Sequence, residues 1–108
     1  IQHTDMDGLE IILKDIYKLL KPKGEAFITL TSKKSDSWER HKESRIDNNT
    51  LIKTEGPEVG VPHTYLDYEE AVKMLSDFNI IKIQEIIKYL PKQERRHAHF
   101  YCLLSKKV

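Results

Sequence analysis

Ile16-Tyr17-Lys18-Leu19-Leu20-Lys21-Pro22-Lys23-Gly24-Glu25-Ala26-Phe27-Ile28-Thr29-Leu30-Thr31 holds a helix end, a turn and a strand in one unbroken stretch. Ile16, Tyr17 and Leu20 close a series begun by Leu9, Ile12 and Leu13, at the three- and four-residue spacing of an amphipathic helix. Thr4-Asp5-Met6-Asp7 offers capping oxygens and negative charge at the start of that helix. Lys14, Lys18 and Lys21 load its end with the positive charge that the helix dipole favours. Pro22 forbids continuation, and Gly24 is able to take the left-handed backbone of a tight turn. Residues 25–31 then read as a strand, nearly continuously apolar at Ala26, Phe27, Ile28 and Leu30, as suits a strand covered on both faces.

Downstream of this stretch the pattern collapses. Residues 32–65 are polar, with turn formers at Gly56-Pro57, Gly60 and Pro62. A connection that long is uncommon in a compact domain and is usually functional or mobile. Trp38 and the short apolar group Thr50-Leu51-Ile52 are the residues able to tether it. A second helix is expected from Asp67, an N-cap with Glu70 three residues on, and its apolar stripe is Ala71, Met74, Leu75 and Phe78. Residues 80–87 are a β-branched strand, 91–96 a charged turn, and 97–105 a last strand with Ala98, Phe100, Cys102 and Leu104 on one face. The order helix, strand, loop, helix, strand, strand predicts an α/β fold with a parallel sheet and right-handed crossovers. The last two strands are joined too closely for a crossover and must pair antiparallel or diverge. The expectation is a three-stranded mixed sheet, its last strand antiparallel, with two main helices.

The chain has 108 residues, one domain at most, and buries roughly two-thirds of its unfolded surface. Hydrophobic residues at 39% and charged residues at 32% are those of a soluble globular protein. No apolar run approaches the ~20 residues that span a bilayer, so no membrane partner is expected. Eighteen Lys and Arg against seventeen Asp and Glu give a charge of +1, which argues against a dedicated nucleic-acid binder. Cys102 is the only cysteine and fits a reducing, cytoplasmic compartment. Ile1 is not an initiator Met, and the simplest expectation is that it continues something before it.

The turn Leu20-Lys21-Pro22-Lys23-Gly24-Glu25 resembles the helix-to-strand junction of class I S-adenosylmethionine-dependent methyltransferases, with Lys23 where a second glycine is usual. Asp47-Asn48-Asn49-Thr50 and Gly60-Val61-Pro62-His63-Thr64-Tyr65 look like a loop of one bacterial subgroup of these enzymes. The resemblance covers nearly the whole chain. It implies that residues 26–31 are the family's fifth strand, and that 67–78 and 80–87 are the next helix and strand. Residues 96–105 would then be the seventh strand, antiparallel between the fifth and sixth. Residues 1–108 would thus form the C-terminal half of a Rossmann-like methyltransferase domain with a long loop at 32–66. The implied cofactor is S-adenosylmethionine, and the implied reaction is direct displacement onto an unidentified methyl acceptor, a small molecule or another nucleophile, governed by alignment of donor and nucleophile. The family's glycine-rich loop and its acidic ribose-binding residue have no counterpart here; Gly8, Gly24, Gly56 and Gly60 are too scattered for a cradle. The expectation is therefore a fragment without tight cofactor binding and inactive by itself.

No catalytic residue stands out from the sequence. The resemblance places Gln2 and His3 where the fourth strand would end, lining the cofactor cleft; His3 otherwise caps the nearby helix or frays. His63 and Tyr65 precede the second helix and are candidate substrate-wall residues, His63 with the pKa range of a general base. The alternative is a turn with an exposed His and a packing Tyr. Trp38 is either a substrate lid or a hydrophobic pin. His97 and His99 share one strand face, but two histidines do not make a metal site. Cys102 reads as a buried apolar residue. Lys92, Arg95 and Arg96 read as a solvated turn, with an anionic-partner patch as the rival. A different class of function, a non-catalytic α/β binding or oligomerisation module, follows from the open edge expected at residues 25–31, which would favour a homo-oligomer such as a dimer.

Overall fold

The computed structural model describes residues 3–54, 59–91 and 95–107. Helix α1 (Met6–Leu19) starts at Asp5, whose carboxylate accepts from the Gly8 N–H at 2.8 Å. It buries Leu9 and Leu13. The chain then turns into β1 (Glu25–Ser32) through Lys21-Pro22-Lys23-Gly24, closed by the Gly24 N–H donating to the Lys21 carbonyl at 2.7 Å. Lys23, not Gly24, carries the positive φ, at 63°. Proline at the second turn position with φ > 0 at the third is the type II pattern. Gly24 is needed for another reason: a Cβ there would sit 2.8 Å from the Lys21 carbonyl oxygen.

The expected loop at 32–66 is not a loop. It contains α2 (Asp36–Arg40), a 3₁₀ turn (Lys42–Ser44), β2 (Thr50–Ile52) and β3 (Pro62–Leu66). The sheet thus has five strands rather than three, and there are three α-helices rather than two. The segment lacks periodicity because its strands are only three and five residues long. Local bonds substitute for pattern: the Asp47 carboxylate accepts from the Asn49 and Thr50 N–H groups, and Asn49 exchanges bonds with the Tyr65 backbone. Trp38, Leu51 and Tyr65 form a small second core, so the tethering residues read from the sequence do anchor the segment.

Helix α3 (Tyr68–Met74) opens with a complete capping box between Asp67 and Glu70 and ends before Phe78, which begins β4 (Phe78–Leu90). Glu70 also accepts from Asn49 Nδ2 at 2.7 Å and pairs with Lys33 at 2.9 Å. Partial burial pushes its pKa up, but these hydrogen bonds and the Lys33 charge outweigh burial and hold it below the ordinary carboxylate value. β5 (Arg95–Lys106) returns antiparallel to β4.

The strand order is β2-β3-β1-β5-β4. β5 is antiparallel to both neighbours, so β1 and β4 run parallel to each other, and β3 is parallel to β1 at Thr31↔Tyr65 and Ser32↔Leu66. Ala98, Phe100, Cys102 and Leu104 are fully buried on one face of β5, packed with Leu9, Leu13, Ala71 and Leu75 of the helical layer. Burial pushes the Cys102 thiol up to about 11, which makes it an inert apolar residue. No described helix is long and apolar enough to cross a membrane.

The turn yields a prediction about stability. A non-glycine left-handed residue costs roughly 1–2 kcal/mol, and glycine loses ~0.5–1 kcal/mol through the freedom of the unfolded chain. Lys23→Gly should therefore stabilise the protein by about 0.5–1 kcal/mol. Gly24→Ala should destabilise it by about 1–3 kcal/mol, since backbone lies in the way. Urea denaturation midpoints of the two variants measure both effects.

Candidate functional site

The strand registers place side chains from three elements on one face. Tyr65 of β3, Thr31 of β1 and His99 of β5 lie in a single cross-strand row. His63 and His97, each two residues away along its strand, share that face by strand alternation. These five residues line a cavity of about 210 Å³ at the carboxyl end of β1. Helix α2 supplies the opposite wall with Ser37 and Arg40, followed by His41; Ser35 and Asp36 stand at its start. His3, Lys53, Arg95 and Arg96 complete the described lining.

Helix α2 is held over the sheet by Ser35. Its hydroxyl donates to the Ala98 carbonyl at 2.9 Å and accepts from the Ala98 N–H at 3.0 Å, as a neighbouring strand would. Asp36 accepts from the Arg96 N–H and meets the Arg96 guanidinium at 3.5 Å; the same guanidinium donates to the Lys34 carbonyl at 2.7 Å. The Ser37 and Tyr65 hydroxyls share a hydrogen bond of 2.7 Å. His63 is buried, with Nδ1 2.9 Å from the Val61 carbonyl, and its ring meets that of His3 edge-on at 4.7 Å. In the tautomer that donates Nδ1–H to this carbonyl, Nε2 carries the free lone pair, and the hydrogen bond fixes the orientation of the ring.

The rings of His97 and His99 lie 6.4 Å apart. Burial lowers the pKa of His99, and the nearby charges of His97 and Lys88 lower it further. No group of three or more His, Cys, Asp or Glu side chains among the described residues is arranged to hold a metal ion.

His3, His63 and Tyr65 therefore converge, although the sequence suggested different roles for them. Gln2 lies outside the described residues. Trp38 is not on the cavity wall: it is buried against Tyr65 at 5.0 Å, with the Arg45 guanidinium 3.9 Å from its ring centre, in the position of a pin. Arg40, His41, Lys53 and the His97/His99 pair were missed as site residues. The run Arg40-His41-Lys42 within an otherwise aperiodic segment is the signal that could have pointed to the first two, and the His97/His99 pair was weighed only as a metal site. A larger groove of about 800 Å³ runs between α1 and α3, past Leu13, Tyr17, Met74 and Phe78. It contains none of the histidines, and its lining mixes these apolar residues with charged ones such as Glu10, Lys14, Lys73 and Asp77.

No family model matches this sequence, and no curated protein sequence does. The fold does have a solved counterpart. A crystal structure of a SAM-dependent methyltransferase from Methanosarcina mazei matches with a TM-score of 0.73 and 13% sequence identity, over 94% of this chain and 52% of that one. The chain thus spans about half the length of the structure it matches. At that identity the likeness shows a shared fold and nothing of this chain's activity.

His99 supplies a prediction about pH. Its folded-state pKa lies below the ordinary 6.5, so the unfolded chain binds the proton more readily. Stability should fall as pH drops through 6.5 towards the folded-state value, because that proton favours the unfolded state. NMR titration of the imidazole should show the depressed midpoint. His99→Gln should remove this part of the pH dependence in denaturation measured across the same range.

Proposed function

We propose that the chain is the acceptor-side half of a class I S-adenosylmethionine-dependent methyltransferase and works in the cytoplasm. The observation that carries the reading is the match of fold, with an antiparallel strand between two parallel ones and a cavity of titratable groups at the carboxyl end of β1. In open α/β sheets that end is where ligands bind. Within this reading His63 takes a proton from the acceptor, Tyr65 and Ser37 orient it, and α2 covers it.

The described cavity does not fit the cofactor itself. Its volume of about 210 Å³ is below the roughly 300–1,000 Å³ of small-molecule sites. Asp36, the one carboxylate among its described lining residues, is engaged by Arg96 rather than available to ribose hydroxyls. Within this reading the cofactor is held chiefly by a glycine-rich strand, turn and helix that these 108 residues do not contain. Calorimetric titration of the 108-residue chain with S-adenosylhomocysteine should give no micromolar binding. Micromolar binding would put the cofactor site in this half, and a stop codon just upstream would remove the methyltransferase reading altogether.

A second reading, self-association, is favoured by the edge of β1. Its residues 25–30 have no strand on the side away from β5 among the described residues, and Phe27 is 64% exposed. An edge of this kind recruits another strand, here from a second copy of the chain. Light scattering should detect a dimer at high concentration, and Phe27→Lys should return it to monomer. A clean monomer of the unaltered chain at high concentration is the result that rejects this reading.

A further inference from the structure

We propose that the outer edge of β4 is a homodimer interface, where residues 82–90 of one copy pair antiparallel with residues 82–90 of a second and join the two sheets into one. This surface is separate from the edge of β1, and the inference stands whether or not the methyltransferase reading holds.

β4 ends the strand order, so among the described residues no strand lies on its side away from β5. Ile81, Ile86, Ile87, Tyr89 and Leu90, all on β4, are five of the eleven large apolar side chains that the described residues expose, and Tyr89 is 71% exposed. Both faces of the strand carry them: Ile87 and Tyr89 lie opposite Ala98 and Arg96, Ile86 and Leu90 opposite His99 and Arg95. A strand that is apolar on both faces has the pattern of one covered on both. Here those side chains stand in solvent. β1 reaches only to Thr31↔His99, so beyond that level the described sheet narrows to the β4–β5 hairpin, with Ser35 against Ala98. Two strands alone are marginal in water, and a third is what stabilises them.

The order of residues on β4 selects that third strand. A register shift between Ile80 and Lys82 interrupts the strand near its start, and Pro91, which has no N–H, follows its end. Residues 82–90 form the uninterrupted run between them, and Ile86 is its midpoint. Two such runs related by a two-fold axis overlap fully when Ile86 faces Ile86. That register sets Ile83 against Tyr89, Lys82 against Leu90, Glu85 against Ile87 and Lys88 against Gln84, so no charge faces a like charge. Centring the pair on Glu85 instead would set Glu85 against Glu85 and Lys82 against Lys88, which repel. Centring it on Ile87 would give up the overlap of Lys82 and Ile83. Lysines on an edge deter stray strands. Lys82 and Lys88 do so here and leave one self-pairing open, so the strand that β4 accepts is a second copy of itself.

Light scattering of the 108-residue chain over a dilution series should show a monomer–dimer equilibrium with a midpoint at roughly 1–100 µM. Ile86→Lys puts two ammonium groups against each other on the two-fold axis and should weaken dimerisation by about tenfold or more. NMR signals of the buried core methyls should stay unchanged in that variant, which shows that the fold persists. Ile86→Cys should give a disulfide-linked dimer on mild oxidation, because opposite Cα atoms lie about 4.5–5.5 Å apart. Lys82→Cys should not, since its counterpart lies roughly 27 Å away along the strands. Cys102 is buried and does not compete. A clean monomer at about 1 mM, or a dimer that Ile86→Lys leaves intact, overturns the proposal. Loss of the dimer in Phe27→Lys but not in Ile86→Lys assigns association to β1 instead. Masses that climb past the dimer with concentration mean that β4 pairs with the β1 edge of the next copy in an open chain, and they overturn the two-fold arrangement as well.

Discussion

Insertion of β5 between β1 and β4 is the constraint on which the rest of the molecule depends. It runs antiparallel to both, and its register from Glu25↔Ser105 to Thr31↔His99 determines what each face of the sheet presents. Ala98, Phe100, Cys102 and Leu104 go to the helical layer, while His97, His99 and Tyr101 go to the other side. A slip by one residue would exchange the two sets, burying imidazoles and exposing the core. The same alternation that builds the hydrophobic core therefore builds the floor of the cavity.

The second determinant is the segment between β1 and α3. Among its described residues the buried apolar side chains are Trp38, Leu51, Tyr65 and Leu66. Its position comes from polar bonds that each tie distant parts of the chain. Ser35 stands in for a strand beside Ala98, and Asp36 engages Arg96. Glu70 joins the start of α3 to Asn49 and Lys33. These contacts link residues far apart in sequence, and they turn an aperiodic stretch into a wall. They also explain why basic residues crowd one place: α2 brings Arg40 and His41 from one side, and the β4–β5 hairpin brings Arg95, Arg96 and His97 from the other.

The legible part of the fold was the part with strong local signals. The helix before Pro22, the capping box at Asp67 and the apolar face of β5 were each readable from spacing alone, and each is present. The short strands β2 and β3 were not, because three to five residues carry too little periodicity to separate strand from loop. The turn shows the same boundary. Proline and glycine marked where it lies, but which residue takes the left-handed backbone depended on the close approach of Gly24 to the Lys21 carbonyl.

For the site, the sequence by itself determined the identity and strand phase of the key side chains: His63 with Tyr65, and His97 with His99, two residues apart and hence on common faces. It also determined the local start, stop and burial of the elements, since these follow from neighbours a few residues away. Only the tertiary structure decided that these two pairs share one face of one sheet, that His3 reaches His63, that Trp38 is a pin, and that Arg40 faces Arg95 across a cavity. The reason is range. Coulombic and hydrogen-bonding environments depend on residues separated by tens of positions, and strand pairing and register alone bring those together.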